Sequence, residues 1–304
     1  MQQPASFSEC DAVIVNYNAG HLLAECIKSL IPQLNGTIIV VDNASTDDSL
    51  RFGGLQIKNE LIRIIRNTEN IGFAAACNVG ASHSSAKHLL FLNPDSTLEQ
   101  GALNRMIDVL ESANDIGMVG GMLVNPDGTE QPGGRRVFPT PRRAFMRAFG
   151  LSRFANRFPK LFSDFLMHKD PIPVAPVAVE AISGACMLVK REAVDDVGLW
   201  DAGYFLHCED LDWCMRFQQR GYKIMFVPDA KVIHFWGGSS RSRPVFVEWH
   251  KHKGMMRFYR KFFRHQYPGV LMGLVAVGVW LRFGLVAGYH TAKRVGRALG
   301  LGRG

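Results

Sequence analysis

The feature that most constrains this chain's fold is an alternation of short apolar runs and helix-like stretches over its first 125 residues, with a polar cluster after several of the runs. Residues 12–15, 37–41, 61–65, 88–92 and 118–124 read as strands, and residues 22–34, 72–85 and 98–113 as helices. Helices of this length between strands predict an α/β fold with a mixed, mainly parallel sheet flanked by helices. Such sheets bind ligands beyond the carboxyl ends of their strands. The polar clusters occupy those ends: Asn16-Tyr17-Asn18, Asp42-Asn43-Ala44-Ser45 and Asn93-Pro94-Asp95.

The remainder changes character. Residues 126–176 are rich in Pro, Gly and Arg and read as a long excursion with a short helix near 142–158. Order returns at 177–189, residues 210–219 have helical spacing, and 223–227 and 231–235 read as two strands around a Pro228-Asp229 turn. Residues 245–263 read as a basic helix, and 268–292 carry one charge, Arg282. The 304 residues are 47% hydrophobic and 20% charged, which suits a chain with a sizeable core and excludes a disordered one. Six cysteines without a CxxC pair argue against a zinc ribbon or a disulfide framework and fit a reducing compartment. The N-terminal residues lack a basic stretch followed by an apolar run, so no cleaved secretory signal is expected.

The net charge of +8 hides an asymmetry: residues 241–304 carry +12 and residues 1–240 carry −4. The basic excess is interleaved with apolar sequence, which points to an anionic membrane surface and not to nucleic acid. A span needs about 20 apolar residues, so 268–292 is long enough. However, a central Arg costs about 2.5–3.5 kcal/mol on insertion scales. With basic flanks on both sides, the expectation is a helix or helical hairpin lying in the cytoplasmic leaflet. The competing expectation is a buried helix or a dimer contact.

Several clusters could carry chemistry. Asp42, ending a buried strand, can accept hydrogen bonds from a nucleobase or a ribose, while Ser45 or Asp47 can cap a following helix. Gly72 permits a close backbone approach just ahead of a helix of small residues, where an anion would be favoured. There is no GxGxxG or Walker A loop, which counts against a dinucleotide or ATP site. Asp95 can bind a divalent cation that also holds phosphates, or it can simply form a turn. Glu209, Asp210 and Asp212 repel one another, so burial would raise the pKa of one and suit it to act as a general base; as a helix N-terminus they would complement the macrodipole. His234 ends a strand-like run and could join a cation site.

Taken together, the segments VIVNYN (13–18), VDNASTDDS (41–49), NTENIGFAAACNVG (67–80), FLNPDS (91–96), SGACMLVKREA (183–193), VGLWDAGYFLHCEDLDWCMRFQQRGYKI (197–224) and the histidine of KVIHFWGGSS (231–240) resemble family 2 glycosyltransferases of the GT-A fold, in particular bacterial rhamnosyltransferase-like members. The resemblance implies a GT-A domain over 1–240, with a nucleotide-binding half (1–125) and an acceptor and catalytic half (126–240); the charge and apolar pattern add a membrane-associating segment at 241–304. The resemblance implies that Asn16, Asn18, Asp42, Asn43, Asn70, Gly72, Phe73, Asn78 and Asn93 line the nucleotide-sugar site. Asp95 falls at the last position of the family's DxD metal motif. Asn93 stands where many members have the first Asp, and His234 falls where related enzymes supply a further ligand for Mn²⁺ or Mg²⁺. Asp210 matches the general base of inverting members, with Glu209, Asp212 and Trp200 around it and the acceptor. The QxxRW motif of processive synthases is absent, which favours transfer of a single residue.

The expected reaction is therefore transfer of L-rhamnose from dTDP-rhamnose onto a glycan or lipid-linked glycan acceptor, at the inner face of the cell membrane. Alternatives are a UDP-sugar donor or a non-catalytic nucleotide-sugar-binding homologue; nucleic acid is not an expected partner, and a homo-oligomer is a further option. A nucleotidyltransferase or dinucleotide-dependent enzyme is disfavoured by the missing glycine loop and by the position of Glu209-Asp210.

Overall fold

In a computed structural model of the chain, residues 9–54, 61–143, 167–235 and 243–298 are described. They fall into two compact units. The first comprises Met1–Val137, Leu166–Phe205 and Glu209–Ser239, and the second Phe138–Phe165, Leu206–Cys208 and Ser240–Gly304.

The first unit is built on a mixed sheet. Strands β1 (Cys10–Asn16), β2 (Ile38–Asp42), β3 (Ile62–Arg66) and β4 (His88–Leu92) pair in parallel in the order β3-β2-β1-β4. β1, β2 and β4 are buried along their whole length, which is why they read as continuous apolar runs. The short strand β5 (Ser96–Leu98), then β6 (Ile116–Val124), a two-residue pair β7 (Arg135–Arg136) with β9 (Ala181–Ile182), and β8 (Val177–Ala178) follow. β10 (Cys186–Lys190) lies antiparallel between β4 and β6, and β11 (Lys223–His234) runs parallel to β6. The described sheet is nine-stranded, in the order β3-β2-β1-β4-β10-β6-β11-β5, with β8 on β11. Helices α1 (Leu22–Leu30), α2 (Phe73–Ser82), α3 (Ala102–Glu111), α4 (Arg191–Val197) and α5 (Glu209–Gln219) complete the unit.

The expected strands at 12–15, 37–41, 61–65, 88–92 and 118–124 all form, within a residue or two of their expected ends. Other expected boundaries move, two of them for a tertiary reason. The helix expected from residue 98 begins at Ala102, because Ser96–Leu98 is drawn into antiparallel pairing with His234–Val232. The two strands expected around Pro228-Asp229 are one strand, β11. Its register on β6 shifts between Val227 and Lys231, so Pro228 sits in the irregularity, where its missing N–H breaks no ladder bond. The helix expected over 22–34 ends at Leu30 and gives way to turns. The short helix expected near 142–158 lies, beyond residue 143, outside the described residues.

Close packing of α2 on the sheet depends on Gly80. A Cβ there would lie 2.4 Å from Val13 Cγ1, so the small residues of this helix do serve tight helix–sheet contact.

The second unit is described mainly by α6 (Pro244–Phe263) and α7 (Gly269–Ala298). Trp249 of α6 packs on Trp280 and Phe283 of α7, with ring centroids 5.2 and 5.5 Å away, so the two helices form a hairpin. α7 is long and apolar enough to cross a membrane. Arg282, the one charge within 268–292, is turned onto the partner helix, with Nη1 3.1 Å from His252 Nε2. Val270, Leu274, Val277, Leu281 and Leu285, at helical spacing, stay exposed.

Candidate active site

The carboxyl ends of β1 and β2 lie side by side, with Asn16 in register with Asp42. Asn16 Nδ2 donates to Asp42 Oδ1 (2.8 Å), Ser45 Oγ (3.0 Å) and Ser49 Oγ (2.8 Å). Both Asn16 and Asp42 are buried, and Asn16 Oδ1 has no hydrogen-bond partner among the described residues. Asn18, at φ +53°, accepts from Thr46 N through Oδ1 at 2.8 Å and so pins the loop after β2. Asp47 accepts from Gly20 N and from Ser49 rather than capping a long helix.

Asn43 is a knot between this edge and the next loop. Its Nδ2 donates to Asn70 Oδ1 (3.0 Å) and Gly72 O (3.3 Å), and its Oδ1 accepts from Asn67 Nδ2 (3.0 Å) and Ile71 N (3.2 Å). Asn43 and Asn70 therefore shape the loop that leads into α2. Gly72 is required there for two reasons: its φ is +88°, and a Cβ would meet Phe205 O at 2.8 Å. The backbone that approaches it closely is that of Phe205, which also accepts from Phe73 N at 2.8 Å. Asn78 spends its amide on Trp200: Nδ2 donates to Trp200 O (2.9 Å) and Oδ1 accepts from Trp200 N (3.0 Å). The Trp200 ring stacks on Trp213 with centroids 4.2 Å apart and meets Phe73 and Phe91 edge-on.

A second cluster forms where β5 pairs with the end of β11. Asn93 N donates to Ala185 O at 3.0 Å and Asp95 O accepts from Phe235 N at 2.8 Å, which fixes the turn between β4 and β5. Asp95 Oδ1 and His234 Nε2 consequently lie 3.3 Å apart, although 139 residues separate them in the chain. Gln131 sets the histidine's tautomer. Its Nε2 donates to His234 O, so its Oε1 is left to accept from His234 Nδ1 at 2.8 Å. A proton on Nδ1 leaves Nε2 as the nitrogen that can offer a lone pair. That lone pair faces Asp95 Oδ1, a buried oxygen without a hydrogen-bond donor. Two facing acceptors, one oriented by an outer partner, are the donor set a divalent cation uses. Among the described residues no third His, Cys, Asp or Glu joins them, so further ligands would come from phosphate or water.

The third cluster opens α5. Asp210 Oδ2 accepts from Arg136 Nη2 (2.5 Å) and Gly184 N (3.2 Å), and Oδ1 accepts from Leu211 N (2.8 Å). Burial pushes this carboxyl up, but the Arg136 guanidinium and these hydrogen bonds outweigh it and hold Asp210 below the usual carboxylate range. Glu209 behaves oppositely. Burial, then the adjacent Asp210 charge, push it up to about 8. Asp212, fully buried, accepts from Arg216 Nε at 2.8 Å, and Arg216 in turn donates to the carbonyls of Val197, Gly198 and Leu199. Asp212 thus braces the segment that carries Trp200.

Glu209 carries a stability prediction. Its folded pKa lies above its ordinary 4.5, so the native state holds a proton that the unfolded chain releases. Its stabilising effect is complete below pH 4.5 and is lost as pH rises to about 8. Glu209→Gln should therefore gain stability relative to wild type across this window, by up to about 1.4 kcal/mol per pH unit, and the gain should level off above it. Urea unfolding at several pH values measures the difference; parallel curves would contradict a protonated Glu209.

The sequence pattern of Glycosyl transferase family 2 matches residues 11–198. The chain belongs to that family. A curated relative of this transferase from Mycobacterium tuberculosis, N-acetylglucosaminyl-diphospho-decaprenol L-rhamnosyltransferase, is 26% identical over 246 residues, covering 77% of this chain and 78% of the relative. The dTDP-rhamnosyl transferase RfbF of Shigella flexneri is 22% identical, over 75% of this chain and 70% of its own. Among solved structures, GalNAc-T7 with UDP, GalNAc and Mn²⁺ superposes with a TM-score of 0.58 at 18% identity; it covers 84% of this transferase, which spans about half (48%) of that longer chain. This likeness establishes the GT-A fold for the transferase.

Of the residues expected at the site, Asn16 and Asp42 meet at one strand end, Asp95 and His234 at another, and Glu209 and Asp210 at the start of α5. Gln131 and Arg136 were not foreseen. Arg136 lay within a visible cluster of arginines, whereas nothing local distinguishes Gln131.

Proposed function

We propose that this family 2 glycosyltransferase is an inverting, metal-dependent enzyme. It transfers a single L-rhamnose from dTDP-rhamnose to a lipid-linked glycan at a membrane surface. The observation that carries the reading is the facing pair Asp95 Oδ1 and His234 Nε2, 3.3 Å apart beyond the strand ends and aligned by Gln131. A divalent cation, Mn²⁺ or Mg²⁺, bound there would offset the charge that develops on a departing nucleoside diphosphate.

The chain's own residues do the rest. Asn16 and Asp42 form the nucleoside end, where the unpartnered Asn16 Oδ1 suits a nucleobase N–H. Asp210 takes the proton of an acceptor hydroxyl. That oxygen bonds to the anomeric carbon as the bond to the diphosphate oxygen breaks, and the nucleoside diphosphate leaves. Names of relatives support the sugar and the acceptor: one acts on a polyprenyl-diphosphate-linked sugar and another on dTDP-rhamnose. A thermal-shift panel of dTDP-rhamnose, UDP-sugars and GDP-sugars, with and without Mn²⁺, tests the donor. Ligand at a hundred times its Kd adds about 2.7 kcal/mol. The expected winner is dTDP-rhamnose with Mn²⁺; a larger shift from a UDP-sugar would reassign the donor.

The exposed stripe Val270, Leu274, Val277, Leu281 and Leu285 fits the apolar layer of an anionic leaflet, with the basic flanks of α6 and α7 at the headgroups. This would bring the enzyme to its acceptor at the inner face of the cell membrane. Burying a Leu contributes about 1.5–3 kcal/mol. Leu274→Glu with Leu281→Glu should therefore lower partitioning onto phosphatidylglycerol vesicles by at least about tenfold. Unchanged vesicle binding would contradict a lipid-facing α7.

A further inference from the structure

Two adjacent carboxyl groups open α5, and their surroundings differ. Asp210 receives three donors: Arg136 Nη2 at 2.5 Å, Gly184 N at 3.2 Å and Leu211 N at 2.8 Å. Arg136 is anchored in turn, with Nη2 also donating to Ile182 O at 2.8 Å across the β7–β9 pair. Glu209 is the more enclosed of the two, yet among the described residues its buried Oε2 has no hydrogen-bond partner. An ionised oxygen without a donor is costly in such a place, whereas a protonated one is tolerated.

We propose that Arg136 decides which member of this pair carries the negative charge, keeping Asp210 ionised and leaving the proton on Glu209. This rests on the reading of Asp210 as the base, and it makes Arg136 a positioning residue for that base. The groups facing the pair agree with it. Arg136 approaches from β7 as a cation. From α5 come the two carboxyls themselves and the thiol of Cys214, which burial pushes up to about 12 and so keeps neutral. From α2 comes Cys77, raised by burial and then by Glu209. Gly184, ahead of β10, contributes an uncharged N–H. Arg136 is thus the cation on Asp210, and without it the neighbours offer Asp210 two backbone donors against a second carboxyl.

The arrangement has a chemical purpose. Two like charges on consecutive residues cannot both persist in a buried site, so the proton must rest on one of them. A base that is protonated half the time is idle half the time. Arg136 removes that ambiguity at the cost of a weaker base. The other Asp210 oxygen, Oδ1, accepts from the Leu211 N–H.

Infrared difference spectra of the purified full-length protein, titrated from pH 5 to 9, read this directly through the C=O stretch of protonated carboxyls. Wild type should show one buried carboxyl that loses its proton near the pH of about 8 expected for Glu209, and Glu209→Gln should abolish that band. Arg136→Gln should raise the ratio of protonated to ionised Asp210 by about tenfold or more. A second band would then appear at neutral pH and vanish in the Arg136→Gln, Asp210→Asn double variant. Arg136→Lys, which keeps the charge, should resemble wild type and separates the charge from any effect on folding. An Arg136→Gln spectrum identical to wild type, or a second band that survives in the double variant, would overturn the proposal. Sugar transfer by Asp210→Asn would instead sink the base assignment, while the proton placement would still be decided by the spectra.

Discussion

Asp210→Asn should lower sugar transfer by about 10²–10⁴-fold, the usual loss on removing a general acid or base, while donor binding stays near the wild-type level. The amide keeps the size of the side chain and can still accept from Gly184 N and Arg136, but it cannot take a proton. Asp210 is placed at the head of α5, held by residues of β7 and the segment before β10, whereas the proposed nucleoside end is built from β1 and β2. Single-turnover transfer alongside a donor titration separates the two effects. Near-normal transfer by the variant would move the base assignment to Glu209, whose proton would then have to leave first.

The second large effect concerns the cation. Asp95→Ala and His234→Ala should each weaken the Mn²⁺ dependence of donor binding by about a hundredfold or more, exceeding the roughly 10–100-fold expected for loss of an outer partner. Gln131→Leu supplies that outer-partner comparison: it removes the contact at His234 Nδ1 without touching the facing pair. Isothermal titration of donor at several Mn²⁺ concentrations gives the ranking. A His234→Ala protein with an unchanged Mn²⁺ response would make the histidine structural and leave the cation to Asp95, phosphate and water.

The parts of this molecule that were legible in sequence are those governed by local pattern. Strands β1, β2 and β4 announce themselves because both of their faces are buried, so 38–42 reads as unbroken apolar sequence up to Asp42. The small residues of α2 likewise announce close packing, which Gly80 against Val13 bears out. What stayed hidden was set by distant pairing. Ser96–Leu98 has no strong strand signal and becomes a strand because β11 lies beside it. That same pairing brings Asp95 to His234, so the composition of the proposed cation pair was readable but its geometry was not. Gln131 and Arg136 sit in a stretch where Pro, Gly and Arg obscure any period. Their roles come from contacts 103 and 74 residues away along the chain. Gly72 was readable as a special backbone position, but what approaches it is Phe205 and the cause is chain packing. Asn43 and Asn78 resemble binding residues in sequence. In the fold their amides are engaged with the Asn67–Gly72 loop and with Trp200.

The stereochemistry of the product tests the central claim most directly. Full-length protein is incubated with Mn²⁺, the nucleotide-sugar that gives the largest thermal shift, and a polyprenyl-diphosphate-linked N-acetylglucosamine acceptor. The anomeric configuration of the first-formed glycoside is then read by proton NMR before any equilibration. The account predicts one added sugar per acceptor, with the configuration opposite to that in the donor, and no product when the cation is chelated. Retention of the donor's configuration, or full turnover in the presence of chelator, would contradict direct attack assisted by Asp210 with a cation at Asp95 and His234.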